Sequence, residues 1–224
     1  GVLPIENSTA GSVNAVYDLM AEHNFYIVKS FRLKINHCLL ANKGATLEGV
    51  KEVYSHEQAI NQCSDFLRQH SNIRVHVCEN TAVAAKMVME SGRTDVAAIS
   101  SENCRELYNL TTLSSDVQNK DNNYTRFICI SKDLEIYPGA DKTSFVVTLP
   151  HKPGSLYHTL ARFYALGINV IKLESRPVQN KDFEFMFYFD MSVSVYDNAF
   201  YEILEQLSDE CEYFNYLGSY SEVM

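Results

Sequence analysis

The apolar pattern changes character once along the chain, and that change constrains the fold more than any single residue. In the first part, short apolar runs alternate with stretches of helical spacing. Residues 2–5 form a run, and residues 8–22 place Val13, Val16, Tyr17 and Met20 on one helical face behind small polar residues suited to an N-cap. Residues 50–54 lead into a predicted helix through Gln69, residues 73–78 into one through Glu90, and residues 95–99 into one through Leu107. Such β-α alternation predicts a parallel sheet covered by helices. Residues 25–40 read as extended, with apolar alternation at Phe31, Leu33 and Ile35.

After a segment at 132–142 carrying Tyr137-Pro138-Gly139, the order becomes strand (144–149), helix (155–166), strand (169–174), strand (183–193), helix (197–207), strand (212–218). That is βαββαβ, the ferredoxin-like order. Two helices cover one face of four strands, so the other face or an edge is expected to be buried against a second copy.

Composition narrows the class. Of 224 residues, 46% are apolar and 21% charged, with 9 Gly and 5 Pro, which excludes a disordered tract or a disulfide-stapled miniature. No run approaches the ~20 apolar residues that span a bilayer. Gly1-Val2-Leu3-Pro4 lacks the layout of a secretory signal, so cytoplasm is the expected setting. The 6 cysteines form no C-x-x-C pair, which argues against zinc or redox motifs and for buried reduced thiols. A net charge of −9 speaks against nucleic-acid or anionic-membrane partners. Residues 1–142 carry net −3 and residues 143–224 net −6, so an anionic ligand is expected in the first part.

Short polar residues close each apolar run of the first part: Glu6-Asn7-Ser8-Thr9, Ser55-His56, Glu79-Asn80-Thr81 and Ser100-Ser101-Glu102-Asn103. Ligands of open α/β sheets bind beyond strand carboxyl ends, where helix N-termini offer N–H groups to anions. Ordinary helix caps explain any one of these junctions as well.

Specific stretches carry a family resemblance. Pro4-Ile5-Glu6-Asn7-Ser8 with Gly11-Ser12, Tyr54-Ser55-His56-Glu57-Gln58 with Gln62, and Asn123-Tyr124-Thr125-Arg126-Phe127 resemble prephenate dehydratase. Lys152-Pro153-Gly154-Ser155-Leu156-Tyr157 and Leu173-Glu174-Ser175-Arg176-Pro177 resemble its ACT regulatory domain. The resemblance implies a partial catalytic domain over residues 1–132, a linker at 133–142 and an ACT domain at 143–224. It implies α/β architecture: an N-terminally truncated lobe like those of type II periplasmic binding proteins, then the ferredoxin-like βαββαβ domain. Activity would be conversion of prephenate to phenylpyruvate, carbon dioxide and water without a cofactor or metal, with L-phenylalanine as feedback effector and a homodimer or homotetramer as the assembly.

Aromatisation drives that reaction, so the enzyme holds a dianion, desolvates the departing carboxylate and assists a hydroxyl that leaves poorly without a proton or strong hydrogen bond. By the resemblance Thr125 meets that hydroxyl. A threonine is a very weak acid and reads as a positioned donor; a strand threonine is the plainer account of it. Arg126, beside it, would point the opposite way on a strand, which favours a structural or hinge role over contact with the same substrate atom, while Phe127 returns to the side of Thr125 and packs to position it.

Asn7 and Ser8 at a helix start suit a substrate carboxylate. Glu6 facing a dianion is repulsive unless protonated or paired, and either orients a donor or supplies the proton; Glu79 carries the same ambiguity. Ser55 and Gln62, seven apart, would share a helical face, Ser55 reaching the ligand with Gln62 in support, or serve as a cap and a surface glutamine. His56 and His76 receive no role. Gly154, with Ser155 and Leu156, would let the effector's charged groups approach the backbone. The family usually shows Gly-Ala-Leu there, against Gly-Ser-Leu in this chain. Glu174-Ser175-Arg176-Pro177 would complete the effector site, or form a strand end with a local Glu–Arg pair.

The resemblance begins inside the family's catalytic domain, with about the first seventy to eighty residues of that domain unmatched. Positions 1–8 would be the tail of one lobe, about 9–120 the second lobe, and 125–131 the strand returning to the first. Weak dehydratase activity with phenylalanine binding is therefore expected of these residues alone. A parent bearing a chorismate mutase domain, a non-catalytic phenylalanine-sensing module, and an arogenate dehydratase are the competing expectations.

Overall fold

A computed structural model describes residues 1–178 and 184–223. It divides into two compact units, one of Gly1–Asn7, Gly11–Leu33 and Thr125–Met224, the other of Ser8–Ala10 and Lys34–Tyr124.

The second unit is built from β4 (Cys38–Ala41), β5 (Glu52–Ser55), β6 (Arg74–Val77), β7 (Val96–Ser100) and β8 (Thr111–Ser114), with α2 (Glu57–Gln62), α3 (Ser64–Gln69), α4 (Thr81–Ser91) and α5 (Glu102–Leu107). Its strand order is β6-β5-β7-β4-β8. Only the β6-β5-β7 part is parallel; β4 runs antiparallel to β7 and β8, which corrects the all-parallel expectation. β8 left no strand signal because its four residues are all half-buried.

Every residue of β7 is buried, as a continuous apolar run at a sheet centre requires. Ala97 and Ile99 join Leu39, Val53, Ala59 and Cys63 in one core, while Val96 and Ala98 join Leu40, Ala84, Ala85 and Val88 in another. Burial pushes the Cys63 thiol up to about 12 and, first among its causes, the Cys38 thiol up to about 11, so both remain protonated.

Two polar junctions are helix caps. Asn80 accepts from the Val83 N–H at 2.8 Å, and His56 Nδ1 from the Gln58 N–H at 3.2 Å. Glu102 accepts from Thr112 and pairs with Arg105.

The first unit holds β1 (Val2–Asn7), β2 (Gly11–Ser12), α1 (Asn14–Glu22), β3 (Tyr26–Lys34), β9 (Tyr124–Ser131), β10 (Lys142–Thr148), α6 (Ser155–Ala165), β11 (Asn169–Pro177), β12 (Phe185–Ser192), α7 (Asn198–Glu210), β13 (Tyr213–Tyr220) and β14 (Glu222–Val223). Phe183, the expected start of the third strand of the βαββαβ part, lies outside the described residues. The sheet order β11-β12-β10-β13 is ferredoxin-like. A second sheet runs β14-β3-β9-β1-β2.

Helices α6 and α7 cover one face through Phe145, Phe163, Phe189, Phe200, Ile203 and Leu207. The other face is not open. Val146, Tyr188, Leu217 and Tyr220 pack with Ile5, Val16, Tyr17, Met20, Phe25, Ile27 and Ile128 of the same chain, so that face gives no reason for a second copy. Gly218 permits the close approach: its φ is +133°, and a Cβ there would lie 2.4 Å from the Ile27 carbonyl oxygen.

Residues 8–22 do not form one helix. Gly11 at φ +83° lets the chain fold back so that Glu6 pairs with Ser12 and Asn7 with Gly11, and α1 begins only at Asn14. Pairing with β1 outcompetes the N-cap that Ser8 and Thr9 advertise. On β3 the expected alternation picks the wrong face, since Ile27 and Ser30 are buried and Leu33 is 52% exposed. Among the described residues no helix is long and apolar enough to cross a membrane.

Candidate functional site

In the first unit, β1 and β9 run antiparallel with Asn7 directly opposite Thr125. Asn7 Nδ2 donates to Thr125 Oγ1 at 3.0 Å. A hydroxyl that accepts this bond has its own proton directed elsewhere, so the pair presents Thr125 as an oriented donor. Residues alternate as a strand dictates: Arg126 and Ile128 are buried, Thr125 and Phe127 half-buried on the reverse face, and Phe127 stacks on Phe31 with centroids 5.2 Å apart.

Arg126 faces the βαββαβ sheet. Its Nη1 donates to Asp190 Oδ2 at 2.6 Å and its Nη2 to the Tyr220 hydroxyl at 2.9 Å, while Nε lies 3.0 Å from Glu222. Ser144 Oγ donates to the other Asp190 oxygen at 2.6 Å. Burial works against the guanidinium's charge; Asp190, Tyr220 and Glu222 more than restore it. This side chain is held as a structural anchor, and the structure does not place it with Thr125 on one face.

Glu222 also meets Arg32 at 2.9 Å and Lys142 at 3.6 Å. Burial alone would push its carboxyl up, but Arg126, Lys142 and Arg32 outweigh burial and hold it below the usual carboxylate range. A depressed folded-state value stabilises above the unfolded carboxyl's pKa of about 4.3, and the benefit is lost as pH falls through the folded value. Urea unfolding should therefore find Glu222→Gln less stable than wild type at neutral pH, with the gap closing below about pH 4. A gap that persists undiminished in acid would refute the assignment.

Glu6 is paired: Lys172 Nζ lies 2.9 Å from its Oε1 and also donates to Ser12 Oγ at 2.8 Å. Ser12 in turn donates to Glu174 at 2.5 Å. Arg176 forms a bidentate pair with Asp18 at 2.9 and 2.8 Å. The expected local Glu174–Arg176 pair is thus replaced by separate partners, Ser12 of β2 for Glu174 and Asp18 of α1 for Arg176.

In the second unit, Ser8 heads a turn and no helix. Its Oγ donates to the Asn122 carbonyl at 2.9 Å and accepts from the Tyr124 N–H at 2.9 Å, while its own N–H donates to the Tyr124 carbonyl at 2.8 Å. The helix-terminus premise for Asn7 and Ser8 therefore falls. Ser55 is the last residue of β5, wholly buried, with its hydroxyl donated to the Ile99 carbonyl at 2.7 Å; it shares no helical face with Gln62. Glu79 is exposed just before α4.

Gln62 sits instead in a network that the sequence did not reveal. Its Oε1 receives His37 Nε2 at 2.9 Å and Asn123 Nδ2 at 3.0 Å, and its Nε2 donates to Thr9 Oγ1 at 2.7 Å. Burial pushes the His37 imidazole down against the hydrogen bond to Gln62, keeping it neutral. Thr9, Gln62, Gln118, Asn119, Lys120 and Asn123 line a cavity of about 140 Å³, and Thr9, Ala10, His56, Glu57, Gln58, Asn61 and Gln62 line a groove of about 440 Å³. Asn123 belongs to the Asn123-Tyr124-Thr125-Arg126-Phe127 stretch, but His37, in an extended run with no sequence partner, gives no signal.

A third feature lies in the βαββαβ part. Gly154 at φ +89° turns the chain into α6, and Ser155 Oγ ties that turn to the Pro150 carbonyl at 2.6 Å. Leu149, Pro150, His151, Lys152, Pro153, Ser155, Leu156, Glu184, Phe185 and Phe187 line a cavity of about 390 Å³. Ser175 and Pro177 lie opposite the cavity-lining Phe187 and Phe185, whereas Glu174 and Arg176 turn to the other face of β11 and pair there with Ser12 and Asp18.

Comparison with known proteins accords with these features. The family model described as prephenate dehydratase matches residues 1–135. "Arogenate dehydratase/prephenate dehydratase 2, chloroplastic" of Arabidopsis thaliana is 38% identical over 98% of this chain and 60% of its own length. The chain thus spans about 60% of the curated relatives it matches. A prephenate dehydratase from Arthrobacter aurescens solved in complex with L-Phe superposes with TM-score 0.88 at 30% identity, covering 98% of this chain and 74% of that one. A structure described as GqqA, a novel type of quorum quenching acylase, gives 0.87 at 30% identity, covering 98% and 80%. With the family model covering more than half its length, the chain belongs to the prephenate dehydratase family of lyases.

Proposed function

We propose that this chain carries part of a dehydratase that decarboxylates and dehydrates prephenate to phenylpyruvate, regulated by L-phenylalanine through an ACT domain at residues 143–224, joined by the linker at 133–142 to a partial catalytic domain at 1–132. The single observation that carries the catalytic half is the Asn7–Thr125 hydrogen bond. A donor at Thr125 Oγ1 is the wrong partner for activating a nucleophile, which needs a base, and the right one for aiming a proton at a departing hydroxyl. That polarity favours dehydration over the acyl chemistry named for GqqA.

Asn7, Ser8, Ser55, Gln62 and Arg126 enter as the expected substrate set, and Glu6 and Glu79 as the expected acids. Asn7 is supported by its bond to Thr125 in the first unit and Gln62 by its place on the cavity of the second, while Ser8, Ser55 and Arg126 would serve through the backbone segments they fix. The lobe would be of the type II periplasmic-binding-protein kind. The cavity lined by Ser155 and Leu156, beside the Gly154 turn, supports an amino-acid effector: Lys152 suits a carboxylate, and Phe185 and Phe187 suit an aromatic side chain. Ser175 and Pro177, opposite Phe187 and Phe185, would border the effector, with Glu174 and Arg176 anchoring that strand end from its other face; the assembly would be a homodimer or homotetramer. The proposal keeps a cytoplasmic setting.

Assays of prephenate and arogenate loss, each with and without L-phenylalanine, test the reading and separate the two substrates. Conversion of either, suppressed by phenylalanine, supports the enzyme; phenylalanine binding without conversion of either by the full-length protein would leave only a sensing module. The same assay on the 224 residues tests the expectation of weak turnover.

A further inference from the structure

We infer that Lys172 and Asp190 are positioning residues for the Asn7–Thr125 pair, acting through a four-charge clamp made with Glu6 and Arg126. On β1 and β9 Glu6 lies opposite Arg126, one step from Asn7 opposite Thr125. On β11 and β12 Lys172 lies opposite Asp190. The two strand pairs meet charge to charge: Lys172 on Glu6 at 2.9 Å and Asp190 on Arg126 at 2.6 Å. Each charge therefore has an opposite charge as its register partner and another across the interface.

Two irregularities create this arrangement. The β1–β9 register shifts between Pro4 and Glu6, and the β11–β12 register shifts between Val170 and Lys172. Bulges re-aim the side chains that follow them. Here each one brings a charged residue into line with its opposite, so both strand pairs are adjusted at the point where they join.

Opposite residues of an antiparallel pair share a face and adjacent residues alternate. Glu6 and Arg126 are therefore the reverse side of Asn7 and Thr125. Fixing both from the βαββαβ sheet fixes the peptide planes that carry the donor pair. A displacement of about 1 Å at a reacting group can cost 10²-fold in rate, so the clamp bears directly on chemistry. The kinetic part rests on the assignment of Thr125 made above, whereas the geometric part does not.

The test is backbone hydrogen exchange in Lys172→Met, whose side chain keeps length and loses charge. Amides at 2–7 and 124–131 should exchange roughly tenfold faster than in wild type, with β4 and β7 unchanged and Lys172→Arg restoring protection. In the full-length protein, kcat should fall by about tenfold at unchanged KM and recover in Lys172→Arg. Unchanged protection at both segments, or an equal rise in β4 and β7, overturns the inference. Should protection fall as expected while wild type converts neither prephenate nor arogenate, the clamp stands and the Thr125 assignment fails.

Discussion

Thr125→Val lowers turnover of the physiological substrate by about 10²–10³-fold with KM nearly unchanged, the expected cost of removing one preorganised donor. Valine copies the shape of threonine and suits a strand, so β9 keeps its pairing with β1 and Phe127 its stack on Phe31. What disappears is the hydroxyl that accepts from Asn7 Nδ2 and keeps its own proton for another acceptor. On the proposed reading the ground-state carboxylates would not depend on that proton and the departing hydroxyl would, so the loss should fall on kcat. Thr125→Ser keeps the donor and should retain most activity. Steady-state kinetics in the full-length protein decide it, and a fall below about threefold in Thr125→Val would remove Thr125 from the chemistry.

Arg126→Met, in contrast, destabilises the first unit by about 3–5 kcal/mol, because it strands the buried Asp190 and leaves Glu222 without its innermost partner. Whole domains have only about 5–15 kcal/mol of stability, so a large part would be lost. Urea unfolding followed by circular dichroism measures it. Pairing Arg126→Met with Asp190→Leu removes the stranded carboxylate and should recover part of the deficit. A loss under about 1 kcal/mol in the single variant would show that water reaches and solvates the two acids.

What was legible in the sequence follows the range of the interactions involved. Period-2 alternation put Arg126 and Thr125 on opposite faces, and apolar runs located β5, β6, β7 and the whole βαββαβ order, because those signals are local. The start of α1 is not legible because Ser8 and Thr9 look like caps while the deciding contact, Glu6 with Ser12, is a hairpin that Gly11 permits. Helix arithmetic gives Ser55 and Gln62 a shared face, yet Ser55 ends a strand, where seven residues carry no such meaning. His37, Lys172, Asp190 and Glu222 gave no signal. Their hydrogen-bond partners Gln62, Glu6, Arg126 and Ser30 are 25 to 192 positions away, and a charged residue met alone reads as a solvated surface.

The discontinuous first unit has a consequence for biosynthesis. As the chain leaves the ribosome, 34–124 can close on largely neighbouring segments, while β1 waits for β9, and Arg126 waits for Asp190 and then for Glu222. Until then a guanidinium and an apolar strand face have no cover, and non-local pairing of this kind is slow and prone to aggregation. Nascent chains arrested before Glu222 should therefore engage chaperones even though the inserted unit is already folded.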